Sequence, residues 1–157
     1  MIVVSNTSPL NYFALIELPH VLPALFSAVL APGAVLRELR SPGAPALVTD
    51  WLATSPNWLQ FREVEEIPPE LSPLGAGERE AIALAHSAEA KLVLLDERRA
   101  RGVARSRGLA ISGTLGVLDL AAERRLVVMS EALDRLQRTT FRAPAPLMRR
   151  LREKYPA

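Results

Sequence analysis

The sequence predicts an α/β fold: a three-layer α/β/α sandwich around a central parallel sheet of about five strands. Three observations point there. Five short apolar runs punctuate the chain, and helical patterns separate most of them. The runs are apolar on successive residues and do not alternate with polar ones, as expected when both faces of a sheet are covered. Small oxygen-bearing residues follow directly after three of the runs.

The first run, Ile2–Val4, opens the chain and gives way at once to Ser5, Asn6, Thr7 and Ser8, with Pro9 ending the polar cluster. Helical patterns then occupy Leu10–Ile16 and the stretch near His20–Phe26. Ala28–Leu30 is the second strand. Pro32 is well placed as the first residue of a helix reaching about Arg40, and Ser41-Pro42-Gly43 stops it. Ala46–Ala53 is the next helix and Trp58–Phe61 the third strand. The proline-rich stretch "EEIPPELSPLGAG" is a loop. A helix over Glu78–Ala88, a fourth strand over Lys91–Leu95 and a fifth over Leu109–Ile111 follow. "GTLGVLDLAAERR" returns to helix, Ser130 caps another to about Arg138, and Pro146–Tyr155 forms the last. Without a repeat or a linker, residues 1–157 are expected to form a single domain, with C-terminal helices from about 130 to 155.

Bulk composition narrows the function classes. With 157 residues, 49% hydrophobic and 23% charged, the chain is long enough for a real core and carries no signature of disorder. It has no cysteine, which excludes disulfides and thiolate metal sites and suits a reducing cytosol. No apolar stretch is long enough to span a bilayer. The net charge is only +2, and nearly all the positive charge is arginine, Lys91 and Lys154 being the only lysines. Aromatics at 5% argue against a stacking platform for single strands. His20 and His86 are too scattered for a zinc site, and "LGAGE" lacks the features of a phosphate-cradling loop.

Ligands of open α/β sheets sit outside the carboxyl ends of the strands. Asn6 follows the first strand, Asp96 and Glu97 follow the fourth, and Ser112, Gly113 and Thr114 follow the fifth. Each could simply cap a helix, but three strand ends deliver such groups to one edge. Glu78 heads the stripe Ala81, Ile82, Ala85, which should be buried. A carboxylate there must pair with an arginine, bind a cation or lie at a solvated cleft, unless it simply favours the helix N-terminus. Glu80 points away from that stripe and reads as surface. Glu38 shares a side with Val35. Asn6, Glu38, Glu78 and Asp96 thus form a candidate oxygen cluster suited to a hard ion such as Mg²⁺.

The fragments "VVSNTSPL", "PGAVLREL", "LGAGEREAIALA", "LVLLDERRAR" and "GLAISGTLGVLDLA" resemble, in order and spacing, the PIN-domain proteins of the short prokaryotic, toxin-like branch. The resemblance spans Met1 to about Arg125. It implies a helix-sandwiched parallel sheet, Mg²⁺ or Mn²⁺ as cofactor, and hydrolysis of RNA. Matched by position, Glu38, Glu78 and Asp96 take the family's acidic positions, and Thr7 and Thr114 its small hydroxyls. Asn6 stands where an aspartate is usual, which takes the site's formal charge from −4 to −3 and should weaken its hold on an ion. The expected function is a metal-dependent endoribonuclease, as the toxin of a toxin–antitoxin pair, with catalytic Asn6, Glu38, Glu78 and Asp96. Arg98, Arg99 and Arg101 would hold the backbone of single-stranded or structured RNA. The alternative is a catalytically silent PIN-like module that binds RNA or protein. A phosphoacceptor domain is disfavoured because neither lysine follows a suitable strand. The resemblance also implies a homodimer, for which Leu133, Leu136, Leu147 and Leu151 could serve unless they pack on the domain itself.

Overall fold

Runs that are apolar at every residue are satisfied only in a sheet covered on both faces, and that is what the chain builds. The computed structural model describes residues 1–156; Ala157 lies outside the described residues. Strands β1 (Ile2–Ser5), β2 (Ala28–Pro32), β3 (Leu59–Arg62), β4 (Leu92–Leu94) and β5 (Ile111–Ser112) form one parallel sheet in the order β3-β2-β1-β4-β5. In register, Val3 lies beside Val29 and Leu92, and Val4 beside Leu30 and Val93. The helices are α1 (Thr7–Leu15), α2 (Val21–Leu25), α3 (Gly33–Leu39), α4 (Ala46–Ala53), α5 (Ala76–Ser87), α6 (Arg98–Ser106), α7 (Thr114–Glu123), α8 (Met129–Gln137) and α9 (Ala145–Lys154).

Alternate strand residues feed two separate cores. Val3, Val29 and Leu94 join Phe13, Phe26, Leu118 and Leu133 on one face, beneath α1, α2, α4 and α7 to α9. Val4, Leu30, Val93 and Leu95 join Leu71, Ile82 and Ala104 on the other, beneath α5 and α6. Each fully buried side chain of this kind contributes about 1.5–3 kcal/mol. Helix α3 packs against both α1 and α5 at the edge between the layers.

From β1 the chain steps outward to β2 and β3, then crosses back to place β4 on the other side of β1. The strand order reverses there, and such a reversal opens a crevice at the carboxyl ends. Asn6 emerges from β1 and Asp96 from β4 at this point.

Several elements depart from the sequence reading. Helix α1 begins at Thr7 and takes in Pro9, whose missing N–H is harmless in a first turn. Arg98–Ser106 is a helix that the apolar pattern does not announce, since only Ala100, Val103 and Ala104 face inward along it. Gly108, at φ +80°, ends it, and the Leu109 N–H bonds back to the Ala104 carbonyl, so β5 starts at Ile111 and not at Leu109. Of the two roles open to the late leucines, Leu133, Leu136 and Leu151 are buried against the domain itself, and Leu147 is half-buried. Among the described residues, no helix is long and apolar enough to cross a membrane.

The C-terminal helix is clasped to α7. The Tyr155 hydroxyl donates to Asp119 Oδ1 at 2.5 Å and lies 3.0 Å from the Asp119 carbonyl oxygen, and Lys154 Nζ lies 3.0 Å from Oδ1. Burial disfavours the Asp119 carboxylate, but the hydroxyl and the ammonium outweigh it and hold its pKa below the ordinary value. Its stabilising contribution is therefore complete above the unfolded Asp pKa and is lost as pH falls through the lower folded one. Asp119→Asn should destabilise by roughly 1 kcal/mol at neutral pH. In urea titrations the deficit should shrink as pH falls below the ordinary Asp pKa; a deficit unchanged by acid would contradict the clasp.

Candidate functional site

Asn6 occupies the N-cap position of α1, where its side chain would ordinarily accept a helix N–H. It does not: no side-chain cap bond forms, and Asn6 Oδ1 is buried without a hydrogen-bond partner. The residue is fixed instead by its backbone, whose N–H donates to the Leu94 carbonyl at 3.0 Å, and by the buried Ser5 hydroxyl, which donates to the Asn6 carbonyl at 2.9 Å. An unpaired amide oxygen in such a place costs roughly 1–3 kcal/mol.

The atoms that share its space are acidic. A side chain at Gly77, in the first turn of α5, would meet Asn6 Oδ1 at 2.7 Å and the two Glu38 oxygens at 3.0 and 3.1 Å. Gly77 thus leaves the room into which both groups project. Glu38, on the last turn of α3, accepts from the Thr7 hydroxyl and from the Gly77 N–H at 3.3 Å. Glu78 turns back to accept the Gly75 N–H at 3.0 Å. Burial raises the Glu78 pKa; that hydrogen bond opposes the rise, and the neighbouring Glu97 and Glu38 carboxylates add to it.

Asp96 stands apart in its bonding. Its Oδ1 accepts the Thr114 N–H at 2.7 Å and its Oδ2 the Thr114 hydroxyl at 2.6 Å, which ties the end of β4 to the start of α7. Its pKa is raised: burial outweighs the two Thr114 bonds and the Arg101 charge. Glu97 caps α6, accepting from the Arg99 and Ala100 N–H groups. Arg98 and Arg99 are exposed at the start of α6 and Arg101 is half-buried beside Gly113 and Asp96. His20 and His86 lie on the surface.

The structure therefore brings Asn6, Thr7, Glu38 and Glu78 around Gly77, and ties Asp96 and Thr114 to each other on the β4 side. Among the described residues, no three acids or histidines stand close enough to hold a metal ion. The donor set at Gly77 is an amide oxygen with no protein partner and the Glu38 carboxylate, and Glu78, with its pKa raised, turns back to Gly75 and feels the Glu38 charge. That chemistry fits a hard, oxygen-seeking divalent cation. Reasoning from sequence misses Glu97 as a neighbour of Glu78 and Gly77 as the spacer. The paired glycines of "GAGE" are the available signal for a close backbone approach.

Glu80 is not a surface residue. Its side chain is only 12% exposed, Oε1 accepts the Ala34 N–H at 3.1 Å at the start of α3, and Arg37 lies 3.7 Å from Oε2. Arg37 also reaches Glu63 at 3.2 Å. This bracket fixes α3, and so Glu38, relative to α5.

A parallel α/β sandwich with a polar crevice between its switch-point strands is the architecture of a PIN-type fold. Residues 2–155 match the family model DUF3368, a PIN domain, and the chain belongs to that family. Among solved structures it is similar to a PilT N-terminus domain protein, SSO1118, from the hyperthermophilic archaeon Sulfolobus solfataricus P2. The identity is 18%, the TM-score is 0.58, and the match covers 78% of this chain and 95% of the other. No curated protein matches.

Glu80→Ala removes the carboxylate that accepts the α3 N–H and should destabilise by about 1–2 kcal/mol. Glu63→Ala, at the exposed end of the same bracket, should stay within about 0.5 kcal/mol of the native protein. Equal losses for the two in chemical denaturation would contradict the bracket.

Proposed function

We propose that the chain is a divalent-cation-dependent endoribonuclease whose cation site is weakened by Asn6. The observation that carries this reading is the buried, unpartnered Asn6 Oδ1 sharing the Gly77 space with Glu38. PIN domains generally depend on divalent metal, and Asn6, Glu38 and Glu78 would hold Mg²⁺ or Mn²⁺ here, with Asp96 bordering them. When bound, the ion neutralises charge on the phosphodiester. Thr7 holds the Glu38 carboxylate in place, Thr114 does so for Asp96, and the Gly75 N–H does so for Glu78. Arg98, Arg99 and Arg101 on α6 would position the RNA backbone. The same reading extends to a role as toxin, with an antitoxin protein as partner and a second copy of the chain in a homodimer.

A catalytically silent, RNA- or protein-binding module is the second reading. It is favoured by the bonding of both Asp96 oxygens to Thr114 and by the absence of three converging acids among the described residues.

RNA cleavage with added Mn²⁺ separates the two. Asn6→Asp should raise the rate about tenfold or more, and Glu78→Gln should lower it by about 10- to 100-fold. Cleavage indifferent to the ion and to Glu78→Gln would overturn the nuclease reading. Wild-type inactivity with gain of activity in Asn6→Asp would establish the silent module.

Glu78 also makes a prediction about stability. Its folded pKa lies above the unfolded one, so its charge costs nothing below the ordinary Glu pKa. The cost then grows as pH rises through the folded value. Without divalent ions, Glu78→Gln should be a few tenths of a kcal/mol more stable than the native protein at neutral pH. The two should converge below about pH 4, and Mn²⁺ should stabilise only the native protein. Thermal melts across pH would show all three.

A further inference from the structure

A cavity opens beside Asp96, lined by residues of β5, α7, α9 and the 141–144 segment. It measures about 380 Å³, at the small end of ordinary ligand pockets. Asp96 and Arg101 stand at one end of it. Ile111, Leu115 and Leu147 supply apolar wall, and the 141–144 segment closes one side. The wall is held in place. Phe141 meets Tyr12 edge-on, with ring centroids 5.1 Å apart, and the Tyr12 hydroxyl is hydrogen-bonded to Thr140 at 3.0 Å. Arg142 NH1 donates to the carbonyls of Phe141 and Thr139 at 2.9 and 3.1 Å. Neither Arg101 nor Arg142 has a carboxylate within salt-bridge distance among the described residues.

We propose that this cavity receives the base of the nucleotide whose phosphate lies at the acids, a proposal that rests on the nuclease reading. Its shape and chemistry suit a base better than a phosphate. A planar base takes apolar and aromatic wall on its faces and hydrogen-bonding groups at its edge. The cavity offers both, the second from the Ser112 hydroxyl and the two guanidinium groups. A bare phosphate would leave the wall of Ile111, Leu115, Phe141 and Leu147 without a partner. Arg101 lies against Gly113 together with Asp96 and lines the cavity beside that acid, where sugar and phosphate would pass. A base seated there would be read at one position of the RNA.

The test is a titration of the native protein, without divalent ions, with the four nucleoside 5′-monophosphates and with ribose 5-phosphate, followed by methyl NMR. The expected result is that at least one nucleotide shifts Ile111, Leu115 and Leu147 while ribose 5-phosphate leaves them in place. Ala143→Phe, which fills the cavity from the 141–144 segment, should weaken that binding about 10- to 100-fold. Equal shifts from ribose 5-phosphate, or none from any nucleotide, would overturn the pocket, and so would unchanged binding in a folded Ala143→Phe. If that variant does not fold, the contrast between nucleotide and ribose 5-phosphate in the native protein decides. Because the titration needs no cleavage, base-dependent shifts in a protein that never cuts RNA would keep the pocket and defeat the nuclease. Cleavage without such shifts would do the reverse.

Discussion

Strand β1 is held between β2 and β4, and the rest of the molecule follows from that pairing. The Asn6 N–H donates to the Leu94 carbonyl, so the carboxyl ends of β1 and β4 are bound together where the chain direction across the sheet reverses. A reversal of this kind sends the following segments apart and leaves a crevice that neither helix layer fills. Everything acidic in the site is brought there by the packing around it. Helix α3 carries Glu38 in from the sheet edge, and α5 brings Glu78 and the bare backbone of Gly77. The tie between Asp96 and Thr114 joins β4 to α7.

The site is a case of electrostatic tension held by backbone geometry. Burial and the nearby Glu97 and Glu38 carboxylates raise the Glu78 pKa, and the hydrogen bond from Gly75 only partly relieves it. Such an arrangement lowers the stability of the protein, and on the proposed reading a cation would relieve it. Asn6 fits this description from the other direction. A capping bond to α1 would satisfy its amide oxygen cheaply, yet the oxygen is turned toward Gly77 and Glu38 and finds no partner. An amide in place of a carboxylate at this strand end keeps the turn and removes a charge. On the proposed reading, the site would keep its shape with less attraction for a cation.

The layered sheet was legible because it is written in local pattern: β-branched and leucine runs that are apolar on consecutive residues, separated by helical stripes. Helix α6 was not, because its inward face is two alanines and a valine among arginines, too small a stripe to stand out. Glu80 misled for a related reason. Helical spacing placed it off the buried face of α5, but a second helix, α3, covers that side and donates its Ala34 N–H to it. Spacing along one helix cannot show what packs on its flank. In the site, residue types and order were readable, while the bonding was not. Nothing in the sequence shows that Glu97 and Asp96 spend their oxygens on helix N–H groups while Asn6, at the same kind of position, does not.

The most direct measurement is anomalous diffraction from crystals of the native protein soaked in Mn²⁺. The account predicts a manganese peak beside Gly77, within coordinating distance of Asn6 Oδ1 and the carboxylates of Glu38 and Glu78. Manganese that binds elsewhere, or a saturating soak that leaves Asn6 Oδ1 facing only water or protein, would contradict it.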